Sequence, residues 1–257
     1  MQKKCLFVCK RIYFCPEMSK QMVILLTGAS RGIGAALAEA FTHAGHKVLL
    51  VSRNSTALAR VAERCNNHEG DGIAYAIPFD LTDLTNLEDE FLSKIRAHTY
   101  TIDALFNNAG QLIRKPFGEV NVKDARNMFD VNFFVPAQLI RICTPLMASS
   151  QLKHVVNVTS MAGFQGSSKF PGLSYYSASK AALGSLTECL AEELKEEGIK
   201  VNALAIGAVQ TEMLAEAFPG YEAPLDPAGM AEFLKWFTLD GGKFFNGKIL
   251  PVSLATP

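Results

Sequence analysis

At 257 residues, 49% hydrophobic and 19% charged, the chain is long enough to bury one sizeable core. Its 25 basic and 25 acidic side chains cancel, so there is no one-signed field to recruit nucleic acid or an anionic membrane. The six cysteines, at 5, 9, 15, 65, 143 and 189, are too scattered for a disulfide framework and form no Cys-x-x-Cys pair. The five histidines form no His-Glu-x-x-His, so no metal site is expected.

Residues 1–21 read as an N-terminal extension. Lys3 and Lys4 precede a short apolar run, Cys5-Leu6-Phe7-Val8-Cys9, which Lys10 and Arg11 end before it reaches the length of a secretory core. No apolar stretch approaches the roughly twenty residues that span a bilayer, which points to a soluble, cytoplasmic protein. Met18 opens Met18-Ser19-Lys20-Gln21-Met22 just before the first strand, so the first seventeen residues are expected to be dispensable.

Val23 to Leu26 is an uninterrupted apolar run that stops at Thr27-Gly28, as in a strand covered on both faces of a parallel sheet. Thr27-Gly28-Ala29-Ser30-Arg31-Gly32-Ile33-Gly34 joins it to a helix whose apolar positions Ile33, Leu37, Ala38 and Phe41 recur at helical spacing until Gly45 closes it. Glycines in such a turn let the backbone bend tightly and approach a pyrophosphate, while the helix N-terminus offers N–H donors. Gly28, Ser30, Arg31, Gly32, Ile33 and Gly34 are therefore the candidate phosphate cradle. The spacing is not Gly-x-Gly-x-x-Gly. A second strand, Lys47–Ser52, leads through Arg53 to a helix over Thr56–Cys65, a third strand covers Ile73–Phe79, and Leu84–Ile95 is helical.

Ile102–Phe106 is a fourth strand ending in Asn107-Asn108-Ala109-Gly110, and one long helix follows from about Val122 to Met147, with Pro136 the point of any bend. Strand His154–Thr159, helix Tyr176–Lys195, strand Lys200–Ile206, a shorter helix around Met230–Phe237 and a last strand Lys248–Val252 complete the chain. Strand and helix alternate without linker or repeat. Residues 22–257 are thus expected to form a single α/β domain, a doubly wound, Rossmann-like, mostly parallel seven-stranded sheet with helices on both faces. The irregular segments 107–118, 160–175 and 207–225 each follow a strand and should gather at the carboxyl edge, where such sheets bind ligands.

These motifs, in this order, resemble the short-chain dehydrogenase/reductase family. Thr27-Gly28-x-x-x-Gly32-x-Gly34 is similar to its cofactor motif, and Asn107-Asn108-Ala109-Gly110 to the motif that ends its fourth strand. Asn132, in Phe129-Asp130-Val131-Asn132, stands at its helix asparagine. Val156-Asn157-Val158-Thr159-Ser160-Met161-Ala162-Gly163 is similar to its serine segment, and Tyr176-Ser177-Ala178-Ser179-Lys180 to its Tyr-x-x-x-Lys. The resemblance runs from roughly Met22 to Val252 and implies an oxidoreductase with Ser160, Tyr176, Lys180 and Asn132 as catalytic residues. It also implies that Lys180 holds the nicotinamide ribose, that Asn132 positions a relay water, and that Asp80, Asn108, Ala109, Gly110, Gly207 and Thr211 contact the cofactor. Two departures stand out. Fifteen residues separate Ser160 from Tyr176, more than the family usually has, which lengthens the loop Phe164–Ser174; and Ile206-Gly207 stands where many members have Pro-Gly.

Hydride transfer to a carbonyl needs a proton for the developing alkoxide. A free tyrosine has a pKa of about 10, and Lys180, on the same helix face one turn after Tyr176, is expected to lower it together with the positive charge of an oxidised nicotinamide. Tyr175 has Ser179 at the corresponding position instead. Ser160, at the strand end, would donate to the substrate oxygen. The expected cofactor is NADP(H) in preference to NAD(H): the second strand ends Leu50-Val51-Ser52-Arg53-Asn54 with no acid for the ribose hydroxyls, while Arg53 and Arg31 offer guanidinium donors to a 2′-phosphate. The segments Gln111-Leu112-Ile113, Phe164–Leu173 and Val209–Tyr221 are largely apolar and favour an uncharged or lipid-like carbonyl or alcohol. The resemblance implies a homodimer or homotetramer through helices 122–147 and 176–195. Two other functions compete. A nucleotide-dependent epimerase or dehydratase generally carries Gly-x-x-Gly and a longer C-terminal domain, whereas a non-catalytic NADP-sensing protein has no need of a Ser160, Tyr176, Lys180 set. Cys143 and Cys189 lie in helical apolar patterns and read as small packed residues.

Overall fold

The structure, a computed structural model, describes residues 21–83 and 87–254. The expected dispensability of residues 1–17, nearly all of the extension 1–21, and the helix start at Leu84 lie outside the described residues. The elements alternate as β1 (Val23–Thr27), α1 (Gly32–His43), β2 (Lys47–Ser52), α2 (Ser55–Asn66), β3 (Ile73–Pro78), α3 (Leu87–Arg96), β4 (Ala104–Asn107), α4 (Val122–Phe129), α5 (Val135–Cys143), β5 (His154–Ser160), α6 (Ser174–Glu193), β6 (Lys200–Ile206), α7 (Glu212–Ala217), α8 (Pro227–Asp240) and β7 (Ile249–Val252). One seven-stranded sheet results, in the order β3-β2-β1-β4-β5-β6-β7, with every paired neighbour parallel. The chain winds one way from β1 to β3 and the other way from β4 to β7. The crevice at the carboxyl ends of β1 and β4 is therefore the switch point where a doubly wound sheet takes its ligand.

Alternation along each strand divides the core in two. Ile24 and Leu26 face Leu37 and Phe41 of α1 and Leu234 and Phe237 of α8, while the intervening Leu25 faces the layer holding Phe91 of α3 and Leu139 of α5. Continuous apolar runs in β1 and β2 follow from this two-sided burial.

The expected single helix from Val122 to Met147 is not continuous. A π turn over Asp130–Phe134 separates α4 from α5, and a 3₁₀ turn over Thr144–Met147 ends the segment. Pro136 has no N–H to give the carbonyl four residues back, that of Asn132, so the disturbance falls one turn before the proline. A short helix, α7, lies inside the expected irregular segment 207–225; Thr211 caps it by accepting from Leu214 N at 3.3 Å. Cys143 is buried as expected, but Cys189 is exposed, because it lies on the solvent side of α6. Among the described residues, no helix is long and apolar enough to cross a membrane.

A buried histidine at the start of β5, His154, should make stability depend on pH. His154 Nδ1 lies 2.9 Å from Thr238 O, and Nε2 lies 3.1 Å from Asn202 Nδ2. Asn202 cannot turn over, because Nδ2 also donates to Phe245 O and Oδ1 accepts from Lys248 N. Nδ1 therefore carries the proton and Nε2 must accept. Burial lowers the pKa of His154 from 6.5 to about 4. The unfolded chain takes up this proton first as pH falls, so the contribution is present above pH 6.5 and is lost on the way down to about 4. Denaturant unfolding should show the wild type losing about 2 kcal/mol between pH 7 and pH 5 from this group alone. His154→Gln should lack that part of the loss; an equal loss in both proteins would remove His154 as its source.

Candidate active site

The glycine loop between β1 and α1 is shaped by contacts that only hydrogen-sized side chains allow. Gly28 has φ +66, and a Cβ there would lie 2.8 Å from Ala109 Cα, so the loop closes directly on the end of β4. A Cβ at Gly34 would sit 2.2 Å from Gly28 O, which places α1 hard against the turn. Thr27 Oγ1 accepts from the backbone N–H groups of Asn108 and Ala109, and Asn108 Nδ2 donates to the carbonyls of Thr27 and Gly28. Arg31, at the N-cap of α1, makes no side-chain cap hydrogen bond. The first N–H groups of that helix, with Gly32 and Ile33, thus face a cleft of about 550 Å³.

Ser160, Tyr176 and Lys180 meet on the wall of the same cleft. A Cβ at Gly163 would lie 2.7 Å from Ala181 N, so the turn after β5 packs on the backbone of α6 and brings the strand end against the helix. Ser160 lies close enough to Tyr176 to act on its phenol, and its Oγ accepts from Ala162 N at 3.1 Å. Lys180, 3% exposed, donates from Nζ to Val158 O at 2.8 Å. Burial lowers the Lys180 pKa from 10.5 to about 8. Burial raises the pKa of the Tyr176 phenol, and Ser160 opposes the shift only in part. The reason is desolvation, which penalises the phenolate, while the Lys180 ammonium is engaged with a backbone carbonyl.

Asn132 is fully buried behind this wall, in the π turn between α4 and α5. Its Oδ1 accepts from Gln111 N, and its Nδ2 donates to Gln111 O and Ser179 Oγ. A Cβ at Gly110 would lie 3.4 Å from both Asn132 Oδ1 and Lys180 Nζ, so the end of β4 touches both residues. Ser179, the variable residue just before Lys180, carried no sequence signal of this contact.

Of the predicted cofactor residues, Gly28, Ser30, Arg31, Arg53, Asp80, Asn108, Ala109, Gly110, Gly207 and Thr211 also line the cleft, whereas Gly34 and the predicted catalytic Asn132 lie behind it. Asp80 Oδ1 accepts from Thr82 N and Thr82 Oγ1 and so shapes the turn after β3. Arg31 lies 3.6 Å from Glu216 in an exposed ion pair, and Ser52 Oγ donates to Ser30 Oγ at 2.9 Å, tying the end of β2 to the glycine loop. Ile206 needs no proline to set its turn: its carbonyl accepts from Met161 N, and Gly207 N donates to Val252 O. The lengthened loop is ordered by Lys169, whose Nζ donates to Ala162 O, Phe164 O and Ser167 Oγ. Phe79 and Val135 also line the cleft and were not singled out in the sequence, where they look like ordinary core residues, whereas Phe218 lies in the expected segment Val209–Tyr221.

The family model described as short chain dehydrogenase matches residues 22–222. The chain belongs to the short-chain dehydrogenase family. An uncharacterized oxidoreductase of Staphylococcus saprophyticus is 33% identical over 212 residues, covering 82% of this chain and 88% of that protein. A second, from Staphylococcus aureus, is 32% identical over 82% of this chain and 87% of its own length. Among solved structures, a 3-oxoacyl-[acyl-carrier protein] reductase from Brucella melitensis superposes with a TM-score of 0.80 at 30% identity, covering 91% of this chain and 90% of that one. The chain is thus an oxidoreductase of this family, and the seven-stranded Rossmann-like sheet is the family fold.

Proposed function

We propose that the protein is an NADP(H)-dependent oxidoreductase that interconverts a carbonyl and an alcohol, with Tyr176 as proton donor and acceptor. The observation that carries this reading is that Ser160, Tyr176 and Lys180 line the same cleft as the glycine loop. The glycine loop fits a dinucleotide, since Gly28, Ser30, Gly32 and Ile33 line the cleft at the N-terminus of α1. When bound, a nicotinamide dinucleotide supplies the hydride or takes it back.

The chain's own residues manage the proton. Because Ser160 Oγ already accepts from Ala162 N, its hydrogen is available to a substrate oxygen. In reduction, the Tyr176 O–H bond breaks and its proton goes to the oxygen of the carbonyl whose carbon gains the hydride; oxidation reverses each step. Asn132 and Gln111 brace each other behind Lys180, consistent with a role for Asn132 in the proton path. A phenol held above its usual pKa stays protonated at neutrality and suits the reductive direction.

Lys180 supports the phenolate as it forms, so carbonyl reduction should hold steady through neutrality and decline as pH rises past about 8. The apparent value belongs to the Tyr176–Lys180 pair. Initial rates across neutral to alkaline pH test this; a reduction rate that climbs through the same interval would contradict it.

Arg53 and Arg31 at the cleft, with no acid at the end of β2, support NADP(H) over NAD(H). Related structures hold either cofactor: one from Brucella melitensis contains NAD, one from Beutenbergia cavernae NADP. Leu112, Met161, Phe170, Leu173, Met213 and Phe218 give the substrate end apolar walls, which supports an uncharged substrate. Assembly as a homodimer or homotetramer through α4–α5 and α6 belongs to the same proposal, and light scattering tests it. For the activity itself, purified protein with NADPH and a panel of aldehydes and ketones should show NADPH consumption. Cofactor binding without turnover of any carbonyl would support the sensing alternative instead.

A further inference from the structure

We propose that Arg114 is a positioning residue that latches α7 and Phe218 across the substrate end of the cleft, shaping that end for a carbonyl on a flat hydrophobic body such as an aryl ketone. The inference rests on the oxidoreductase reading above for its substrate and on geometry alone for the latch. Three segments that follow three different strands meet at this side chain. Arg114 follows β4, Gly172 precedes α6 in the loop after β5, and Phe218 ends α7 after β6.

Arg114 Nη1 donates to Ala217 O at 2.8 Å, and its Cζ lies 4.4 Å from the centre of the Phe218 ring. A guanidinium can stack on a ring and donate to a carbonyl in the same pose, whereas an ammonium is a point charge without a stacking face. The stem of Arg114 is held as well. Gly172 has φ +85, and a Cβ there would lie 3.1 Å from Arg114 Cγ, so the arginine passes through a gap that only glycine leaves. Lys115 N donates to Gly172 O at 3.1 Å, and Lys115 Nζ is 2.6 Å from Asp124 Oδ2, which anchors the segment on α4.

On the cleft side, Phe218 meets Phe170 edge to face, with ring centres 6.2 Å apart at 80°. Both rings line the cleft, and Arg114 does not. The arginine therefore holds the aromatic wall from outside without placing its charge among the substrate contacts. At the base of the 210–225 segment, Gln210 N donates to Leu225 O and Gln210 Oε1 accepts from Ala223 N, so the segment carrying α7 is closed at its base. The two nearly perpendicular rings make an apolar wall with one ring face and one ring edge, and an aromatic ring entering edge-on or stacked matches it better than a short polar chain.

The test uses the full-length protein, Arg114→Met and Arg114→Lys. Amide hydrogen exchange of residues 212–221, measured without cofactor, should be about tenfold faster in Arg114→Met and intermediate in Arg114→Lys, the opening expected from losing one cation–π contact and one hydrogen bond. Exchange of β1, β4 and β5 should not change, which controls for general loosening. With NADPH, the methionine variant should raise KM for acetophenone about fivefold or more while moving KM for butanone much less, as expected for loss of an ordered aromatic wall. Unchanged exchange over 212–221 in Arg114→Met would overturn the latch, and equal KM shifts for both ketones would overturn its role in specificity. If the wild type reduces neither ketone, the substrate proposal fails, while the exchange measurement still decides the latch.

Discussion

Tyr176→Phe is expected to lower turnover by about 10²–10⁴-fold, the usual worth of general acid catalysis, with NADPH affinity little changed. The substitution removes only the hydroxyl and leaves the ring in the wall of the cleft beside Ser160. Because burial already favours the neutral phenol, the fold should tolerate the change; the loss belongs to the reaction. Tyr175→Phe is the matched control. That ring stacks on Phe117 at 5.7 Å and does not line the cleft, so its loss of a hydroxyl should leave the rate near wild type. Rates at saturating NADPH decide the matter. A Tyr176→Phe protein that retains more than a tenth of wild-type turnover would remove Tyr176 as the acid.

Arg53→Ala is expected to weaken NADPH binding by about 10- to 100-fold and NADH binding far less. A charge-assisted contact to a phosphate contributes about 1.5–3 kcal/mol, and only NADPH carries the 2′-phosphate. Arg53 is exposed where β2 ends, so the effect should shrink toward the lower figure as salt is raised. Arg31 can add to this recognition only by leaving its exposed pairing with Glu216, a contact of the kind that contributes little. Titrating wild type and variant with both cofactors at two salt concentrations tests the assignment. Equal wild-type affinities for the two cofactors, or equal losses on substitution, would show that Arg53 does not read the phosphate.

Much of the fold was legible because its causes are local. The apolar run Val23–Leu26 and the glycines at 28, 32 and 34 act within a few residues of themselves, through two-sided burial and backbone freedom. The spacing of Tyr176 and Lys180 likewise fixes a shared helix face whatever the surroundings. What tertiary structure decided was everything that depends on residues distant in sequence. Asn132 sits in a π turn because Pro136 withholds an N–H, yet what it bonds to, Gln111 and Ser179, is set by the packing of β4 and α6 around it. The helix α7 was hidden in an apparently irregular segment, since six residues are too short for a periodic signal and docking supplies the stability. For Tyr176, helix spacing reports a nearby ammonium but not the depth of burial. Desolvation is a property of the assembled fold, and here it outweighs that spacing.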